Sequence, residues 1–347
     1  MSIPLSEFLA CRNDFPVVDV RSENEFEQGH IPNAINIPLL KNEERVAVGT
    51  DYKQKGADIA IKTGLRLVGP RLVELVSEAE RVAAGRELLV HCWRGGMRSA
   101  YFCQFVGMAR VKATPLAGGY KAYRQLVADT FQQPFRLITV GGCTGSGKTA
   151  LLQQLAERGE QVIDLEALAH HKGSVFGGLM QSPQPTTEQF QNNLFERLLT
   201  LDLSKPVWVE DESITIGKIF LPDALWRQMS QSPVVEVVLN KQQRTDRLVN
   251  EYGAANPEEF IAAIQKISKR LGGLAQQQAI EFVRAGQMHN AIDVLLTYYD
   301  RAYEFGLEKK MAAGRVRQRV EWNGRDYASV VQQLQDFSTH LGTARAQ

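Results

Sequence analysis

Residues 135–155 read FRLITVGGCTGSGKTALLQQL: an apolar run, a glycine-rich turn, then a stretch of helix formers. Within it, Gly142 to Thr149 satisfies G-x-x-x-x-G-K-T in the strand-to-helix setting that such a phosphate-cradling loop requires. Glycines let successive amides converge on one point, and the helix opening directly behind adds its positive end. The amides of Gly145, Ser146, Gly147, Lys148 and Thr149 are therefore expected to cradle a di- or triphosphate. Lys148 would neutralise its outer charge, and Thr149 is the candidate holder of Mg²⁺. Two further apolar runs, KPVWVEDES (205–213) and PVVEVVLN (233–240), have the near-continuous pattern of parallel strands covered on both faces. This half is thus expected to be a doubly wound α/β domain, extended by a C-terminal region of helical pattern. The carboxylates closing the first run are candidates for the metal side of the phosphate site: Glu210 or Asp211, with Glu212 also open. Cys143 sits at a variable loop position and reads as a small filler.

A second anion loop precedes this one. In HCWRGGMRS the strand formers Glu87 to His91 deliver Cys92 into a loop of Trp93, Arg94, Gly95, Gly96 and Met97, closed by Arg98 and Ser99. Amides between Cys92 and Arg98, with the guanidinium, make a concave site for a tetrahedral anion. Gly95 and Gly96 suit a turn that needs backbone angles other residues resist. The same field favours thiolate over thiol, which makes Cys92 a nucleophile. Ala100, Cys103, Val106 and Gly107 then recur at helical spacing, so the loop is expected to open onto a helix N-terminus.

With 347 residues the chain can build two domains, each with its own core. Pro134 stops the preceding helix, which sets the expected domains at 1–130 and 134–347 with 131–133 as linker. The net charge of +1 means that a nucleic-acid partner must be held by a local patch rather than by the whole surface. Residues 44–64 read as a charged surface insertion in which Lys53, Lys55 and Lys62 are candidate phosphate-backbone contacts. Lys241, Arg244, Arg247, Lys266, Lys269 and Arg270 each read first as part of a solvated helical face, and as a set form a candidate RNA surface. Four cysteines without C-x-x-C spacing argue against a disulfide framework or a zinc site and fit a reducing cytoplasm. No apolar run approaches membrane-spanning length, and MSIPLSEFLACRNDF lacks the apolar core of a signal peptide. HHKGSVFGGLMQSPQPT reads as a lid or substrate loop. His170 and His171 have no third ligand nearby and are taken as surface or hydrogen-bonding residues, whereas Phe176, Leu179 and Met180 are candidates to line an apolar pocket.

The stretch VVDVRSENEFEQGHIPNAINIP, about seventy residues ahead of Cys92, resembles the D-x-R-x-x-x-E-F-x-x-G-H-I-P-x-A pattern of the rhodanese fold over roughly residues 3 to 128. Asp19, Arg21, Glu25 and His30 read as a structural network around the loop. One departure is informative: Cys92 to Arg98 spans seven residues, where sulfur-transferring rhodaneses usually have six, which points to a larger anion. The Cys-x5-Arg spacing is shared with cysteine phosphatases, but no Asp follows Cys92 as an obvious general acid.

Taken together, the Cys-Trp-Arg-Gly-Gly-Met-Arg-Ser loop and the following P-loop domain resemble the bacterial tRNA 2-selenouridine synthase family. VGTDYKQKG, GGYKAYR, GGCTGSGKT, KGSVFGG and VEDES with IGK are the supporting stretches. The resemblance implies a transferase that geranylates wobble 2-thiouridine of tRNA from geranyl diphosphate and then replaces the geranylthio group with selenium from selenophosphate. Selenophosphate would occupy the Cys92 loop and geranyl diphosphate the P-loop, with a covalent selenium adduct on Cys92 as a hypothesis. Two other classes stay open at this point: a phosphatase or sulfurtransferase fused to an NTP-dependent kinase-like domain, and a nucleotide-controlled RNA-binding module.

Overall fold

The computed structural model describes residues 2–343. The chain forms two compact units, one of residues 1–130 with 191–196, the other of 131–190 with 197–347.

The first unit runs through α1 (Leu5–Cys11), β1 (Val17–Asp19), α2 (Glu23–Gln28), β2 (Ile35–Asn36), α3 (Asn42–Lys55), α4 (Ala57–Val68), α5 (Leu72–Ala83), β3 (Leu88–His91), α6 (Met97–Met108), β4 (Ala113–Pro115) and α7 (Gly119–Thr130). Its strands form one parallel sheet in the order β2-β1-β3-β4. β1 and β3 are buried along their whole length, as their unbroken apolar runs require of strands in a covered parallel sheet. Cys92 therefore leaves the C-terminal end of a central strand, where open α/β sheets place their ligands.

Two local expectations change. Residues 44–64, expected as a charged surface insertion, are most of the helical pair α3 and α4, and only α3 is solvated throughout. α3 buries nothing, whereas α4 turns Ala60 and Val68 into the core, because its apolar residues fall at helical spacing. Helix α6 forms after the cysteine loop, but its buried stripe is Ser99, Phe102 and Val106; Ala100 and Gly107 are exposed.

The second unit contains β5 (Arg136–Gly141), α8 (Lys148–Glu157), β6 (Gln161–Ile163), α9 (Leu165–Ala169), both ends of α10 (Thr187–Leu199), whose residues 191–196 count with the first unit, β7 (Pro206–Glu210), the hairpin β8 (Thr215–Ile216) and β9 (Ile219–Phe220), and α11 (Asp223–Met229). It continues with β10 (Val234–Val238), α12 (Lys241–Tyr252), α13 (Pro257–Lys266), α14 (Ser268–Leu271), α15 (Gly273–Arg284), α16 (Met288–Ala312), β11 (Val316–Glu321) and α17 (Tyr327–Thr343). Five parallel strands run in the order β11-β10-β5-β7-β6. Leu151, Leu152 and Leu155 of α8 and Val330, Val331 and Leu334 of α17 pack with Ile138, Val140, Trp208, Val235 and Val237 of the sheet. A second core joins α12, α13, α15 and α16. The C-terminal region is not all helical: β11 is an edge strand whose less exposed face carries Val316, Gln318 and Val320 and whose exposed face carries Arg317, Arg319 and Glu321. Among the described residues, no helix is long and apolar enough to cross a membrane.

Candidate functional site

The Cys92 loop is held by its outward-facing carbonyls. The first turn of α7 donates Tyr120 N–H to the Cys92 carbonyl and Lys121 N–H to the Trp93 carbonyl, both at 2.8 Å. Gly119, with φ of 58°, lies so close that a Cβ there would sit 2.4 Å from both the Cys92 oxygen and the Gly95 nitrogen. Gly95, with φ of 66°, meets the same turn, and its Cβ would fall 2.5 Å from the Leu116 oxygen. Gly96 has φ of −98° and open space around it, so of the two loop glycines only Gly95 is required by the backbone. The pair Gly118-Gly119 is thus part of the site, built from a segment distant in sequence.

Cys92 is 3 % exposed. Its Sγ lies 3.3 Å from Ser99 Oγ, which is itself 3.1 Å from the Gly96 carbonyl. The single hydroxyl proton can serve either acceptor, and a thiolate would draw it to sulfur. Burial alone would raise the thiol pKa, but the Ser99 hydroxyl, the Ser99 and Arg94 amides and the Arg98 charge outweigh it and hold Cys92 below the ordinary thiol value. Burial without such donors pushes Cys103 up to about 12 and Cys143 up to about 11, in keeping with Cys143 as a filler.

Arg98 does not aim freely into the loop. Glu25 takes two of its N–H groups, at 2.6 and 3.2 Å, and Arg45 lies 3.8 Å from the same carboxylate. The loop's anion donors are therefore principally its amides, with Arg94 exposed at the rim. Beneath them Asp19 and Arg21 form a buried pair. Arg21 Nε lies 3.0 and 3.1 Å from the two carboxylate oxygens, Nη2 reaches the Gly29 carbonyl at 2.7 Å, and the guanidinium rests 3.8 Å from the centre of the Tyr120 ring. This pair ties β1 to α7, the structural role expected of it. His30 stacks on Phe26 with ring centres 3.8 Å apart and is likewise structural.

In the second unit, β5 delivers the P-loop and α8 opens at Lys148. Gly142, Gly145 and Gly147 all have positive φ; a Cβ on Gly142 would lie 2.6 Å from the Val237 oxygen, and one on Gly147 2.7 Å from the Trp322 ring. Trp322 Nε1 donates to the Ser146 carbonyl at 3.2 Å and helps fix the loop. Lys148 Nζ donates to the Gly142 carbonyl at 2.8 Å, so the ammonium is folded over the cradle. The cavity in front measures about 570 Å³ and is bordered by Lys148, Thr149, Glu166, Glu212, Arg247 and Tyr252. A small apolar slot of about 20 Å³ adjoins it, sharing Leu248, Tyr252 and Tyr299 and floored by Phe176 and Phe260. Leu179 packs against the same core, but Met180 is 59 % exposed and lines neither.

Of the three carboxylates left open by the sequence, Asp211 and Glu212 border the P-loop cavity and Glu210 does not. Glu210 is fully buried and accepts Leu165 N–H at 2.9 Å, anchoring the turn into α9; burial and the nearby Asp164 push its pKa well up. Asp211 pairs with Lys310. Nearest Thr149 are Glu166, which also borders the cavity and accepts the Thr149 hydroxyl at 3.0 Å, and Glu212, which hydrogen-bonds to Glu166. Burial and mutual repulsion raise the Glu212 pKa, and burial raises that of Glu166, so the pair retains a proton that isolated carboxylates would lose. Glu166 carried no sequence signal, because it lies beyond a strand and outside every motif. Among the described residues no cluster of three or more His, Cys, Asp or Glu side chains is arranged to hold a metal. His170 Nδ1 pairs with the Pro183 carbonyl at 2.9 Å, the hydrogen-bonding role expected of it.

The basic set on the helices divides. Arg244 is 5 % exposed and grips Asp300 at 2.7 and 2.8 Å, because its side of α12 packs on α16; it cannot contribute to an RNA surface. Arg247 lies 5.7 Å from the Trp322 ring centre, donates to the Tyr327 hydroxyl at 3.0 Å, and borders the P-loop cavity. Lys241 pairs with Asp293 at 2.8 Å. Lys266, Lys269 and Arg270 are exposed, as are Lys53, Lys55 and Lys62.

Comparison with known proteins covers both units. Residues 135–337 match the tRNA 2-selenouridine synthase AAA domain, and residues 5–126 match the rhodanese-like domain. The tRNA 2-selenouridine synthase of Nitrosomonas europaea is 34 % identical over 308 residues, covering 77 % of this chain and 80 % of that protein. The enzyme of the same name from Nitrosomonas eutropha is 32 % identical over 349 residues, covering 86 % and 89 %. That of Cronobacter sakazakii is 38 % identical over 339 residues, covering 85 % and 87 %. With a family domain matched in each half and these relatives running along most of its length, the chain belongs to the tRNA 2-selenouridine synthase family.

Proposed function

We propose that this chain is a cytoplasmic transferase that converts wobble 2-thiouridine in tRNA to 2-selenouridine in two substitutions. In the first, the thiouridine sulfur attacks C1 of geranyl diphosphate. A carbon–sulfur bond forms, the carbon–oxygen bond to diphosphate breaks, and the base loses its N3 proton. In the second, selenium from selenophosphate takes the place of the geranylthio group at C2, geranylthiol departs, and water receives the phosphoryl group. Selenium stays at the selenide level throughout, so no oxidant or reductant is needed.

The observation that carries this reading is the pair of unlike anion sites. The Cys92 loop offers converging amides and a thiol held below its ordinary pKa, which suits a small tetrahedral anion with a transferable atom. The P-loop offers Lys148 and the α8 N-terminus for a diphosphate, with the slot floored by Phe176 and Phe260 beside it for the start of an apolar tail. The P-loop groups act by stabilising charge on the departing diphosphate. Thr149, Glu166 and Glu212 are oxygen donors of the kind that accompanies phosphates around Mg²⁺, which when bound would neutralise that charge further.

The test is mass spectrometry of nucleosides from thiolated tRNA incubated with geranyl diphosphate and selenophosphate. Wild-type protein should yield 2-selenouridine, and Cys92→Ser should stop at the geranylated nucleoside. Folded wild-type protein that leaves thiouridine unchanged would overturn the reading.

A further inference from the structure

The Cys92 loop borders a cavity that no anion would need. It measures about 100 Å³, opens to the surface, and is walled by α3, α4 and α6. Its lining is almost wholly carbon: Leu39, Leu40, Ile61 and Phe105 within, and Tyr52 and Leu65 at the rim. Met97 and Arg98, residues at the closing end of the loop, complete the wall, so the cavity adjoins the loop. Arg98 is the only charged residue in that lining, and its guanidinium is engaged by Glu25. Tyr52, Leu65 and Met97 are 54 %, 52 % and 48 % exposed. Single exposed apolar side chains are ordinary, but three around one apolar hollow mark a place that something apolar covers.

We propose that this cavity seats the hydrocarbon chain of the S-alkylated nucleobase while selenium replaces it, and so acts as the leaving-group subsite of the Cys92 loop. The proposal rests on the two-substitution reading above. It differs in assigning the chain a second seat, on the first unit, separate from the apolar slot beside the P-loop. The reaction at C2 forms one carbon–selenium bond and breaks one carbon–sulfur bond, and the departing thiol carries the chain with it. Selenophosphate has no apolar part, so among the reactants only that chain can use a carbon-lined hollow adjoining the loop. Its enclosed part accommodates a segment of an acyclic chain, and the remainder would lie against Leu65, Tyr52 and Met97. A flat or charged substituent would gain little there.

The subsite predicts discrimination by chain. Each methylene removed from water contributes roughly fourfold in affinity, so several such groups should separate long from short substituents clearly. Short RNAs carrying S-geranyl- or S-methyl-2-thiouridine would be given selenophosphate and wild-type protein, and 2-selenouridine formation followed as kcat/KM. The expected result is a preference for the geranyl RNA of at least about tenfold. In a Leu65→Asn, Tyr52→Ser double variant that preference should shrink toward one; both side chains are half exposed, and a melting curve checks that the variant is folded. Equal rates on the two RNAs with wild-type protein, or a folded variant that keeps the full preference, would overturn the subsite while leaving the two-substitution reading standing. Wild-type protein that selenates neither RNA would overturn that reading and the subsite with it.

Discussion

At Cys92 two opposing effects act on one atom. Burial penalises the thiolate, and four donors of positive potential favour it; the donors prevail. The folded pKa lies below the unfolded value, so ionisation favours the fold. That stabilisation is fully present above the unfolded pKa and is lost as pH falls through the folded one. The nucleophile is lost over the same fall. Iodoacetamide alkylation followed by peptide mass spectrometry should therefore find Cys92 reacting at lower pH than Cys103, whose thiol is pushed up to about 12. Ser99→Ala removes the donor at 3.3 Å and should move the Cys92 midpoint upward, slowing alkylation near neutral pH while leaving the rate at high pH little changed. A midpoint unmoved by Ser99→Ala would mean that the backbone amides alone set the thiolate.

The loop works as an element because α7 holds it. Gly119→Ala places a methyl 2.4 Å from two backbone atoms at a left-handed φ, so it should cost about 1–3 kcal/mol in denaturant unfolding and abolish selenation. Gly96→Ala, in open space at a negative φ, should leave both close to wild type. Equal losses from the two substitutions would sink this account of the loop. The contrast also explains what could be read ahead of the structure. Cys92 with its loop and Lys148 with its loop are contiguous, and the chemistry of each dictates residue types at fixed spacing, so both were legible. The two glycines of HCWRGGMRS look alike in sequence, and only the approach of Gly118 and Gly119 tells them apart. Glu166 meets Thr149 only once α9 and the start of α8 come together, and Arg244 looks like any surface arginine until α16 brings Asp300 to it. The charged composition of 44–64 hid the helical spacing of α4, and six alternating residues of β11 gave too short a signal against a long helical background.

For the whole molecule, the proposed chemistry has one intermediate, the S-alkylated tRNA, which is finished at one site and begun upon at the other. Each unit has its own hydrophobic core and its own anion loop, and neither loop draws residues from the other motif. On the proposed chemistry, Lys148→Ala weakens the diphosphate-dependent step because it removes the ammonium folded over the P-loop, while Cys92→Ser spares that step and stops the next. On that chemistry the geranylated nucleoside is a finished product of the first step, so it can leave one molecule and enter another. Equal amounts of Lys148→Ala protein, slow alone in forming 2-selenouridine, and Cys92→Ser protein, which forms none, should therefore restore its formation when mixed with thiolated tRNA and both co-substrates. Nucleoside mass spectrometry over time should show geranylated tRNA rising first and 2-selenouridine following after a lag. The lag should shorten as the Lys148→Ala protein is increased, because capture of the free intermediate then limits the rate. A mixture that accumulates geranylated tRNA without selenation would mean that the intermediate is passed on only within one molecule. The leaving-group subsite beside Cys92 argues for the first outcome, since a site that grips the alkyl chain can collect the intermediate from solution.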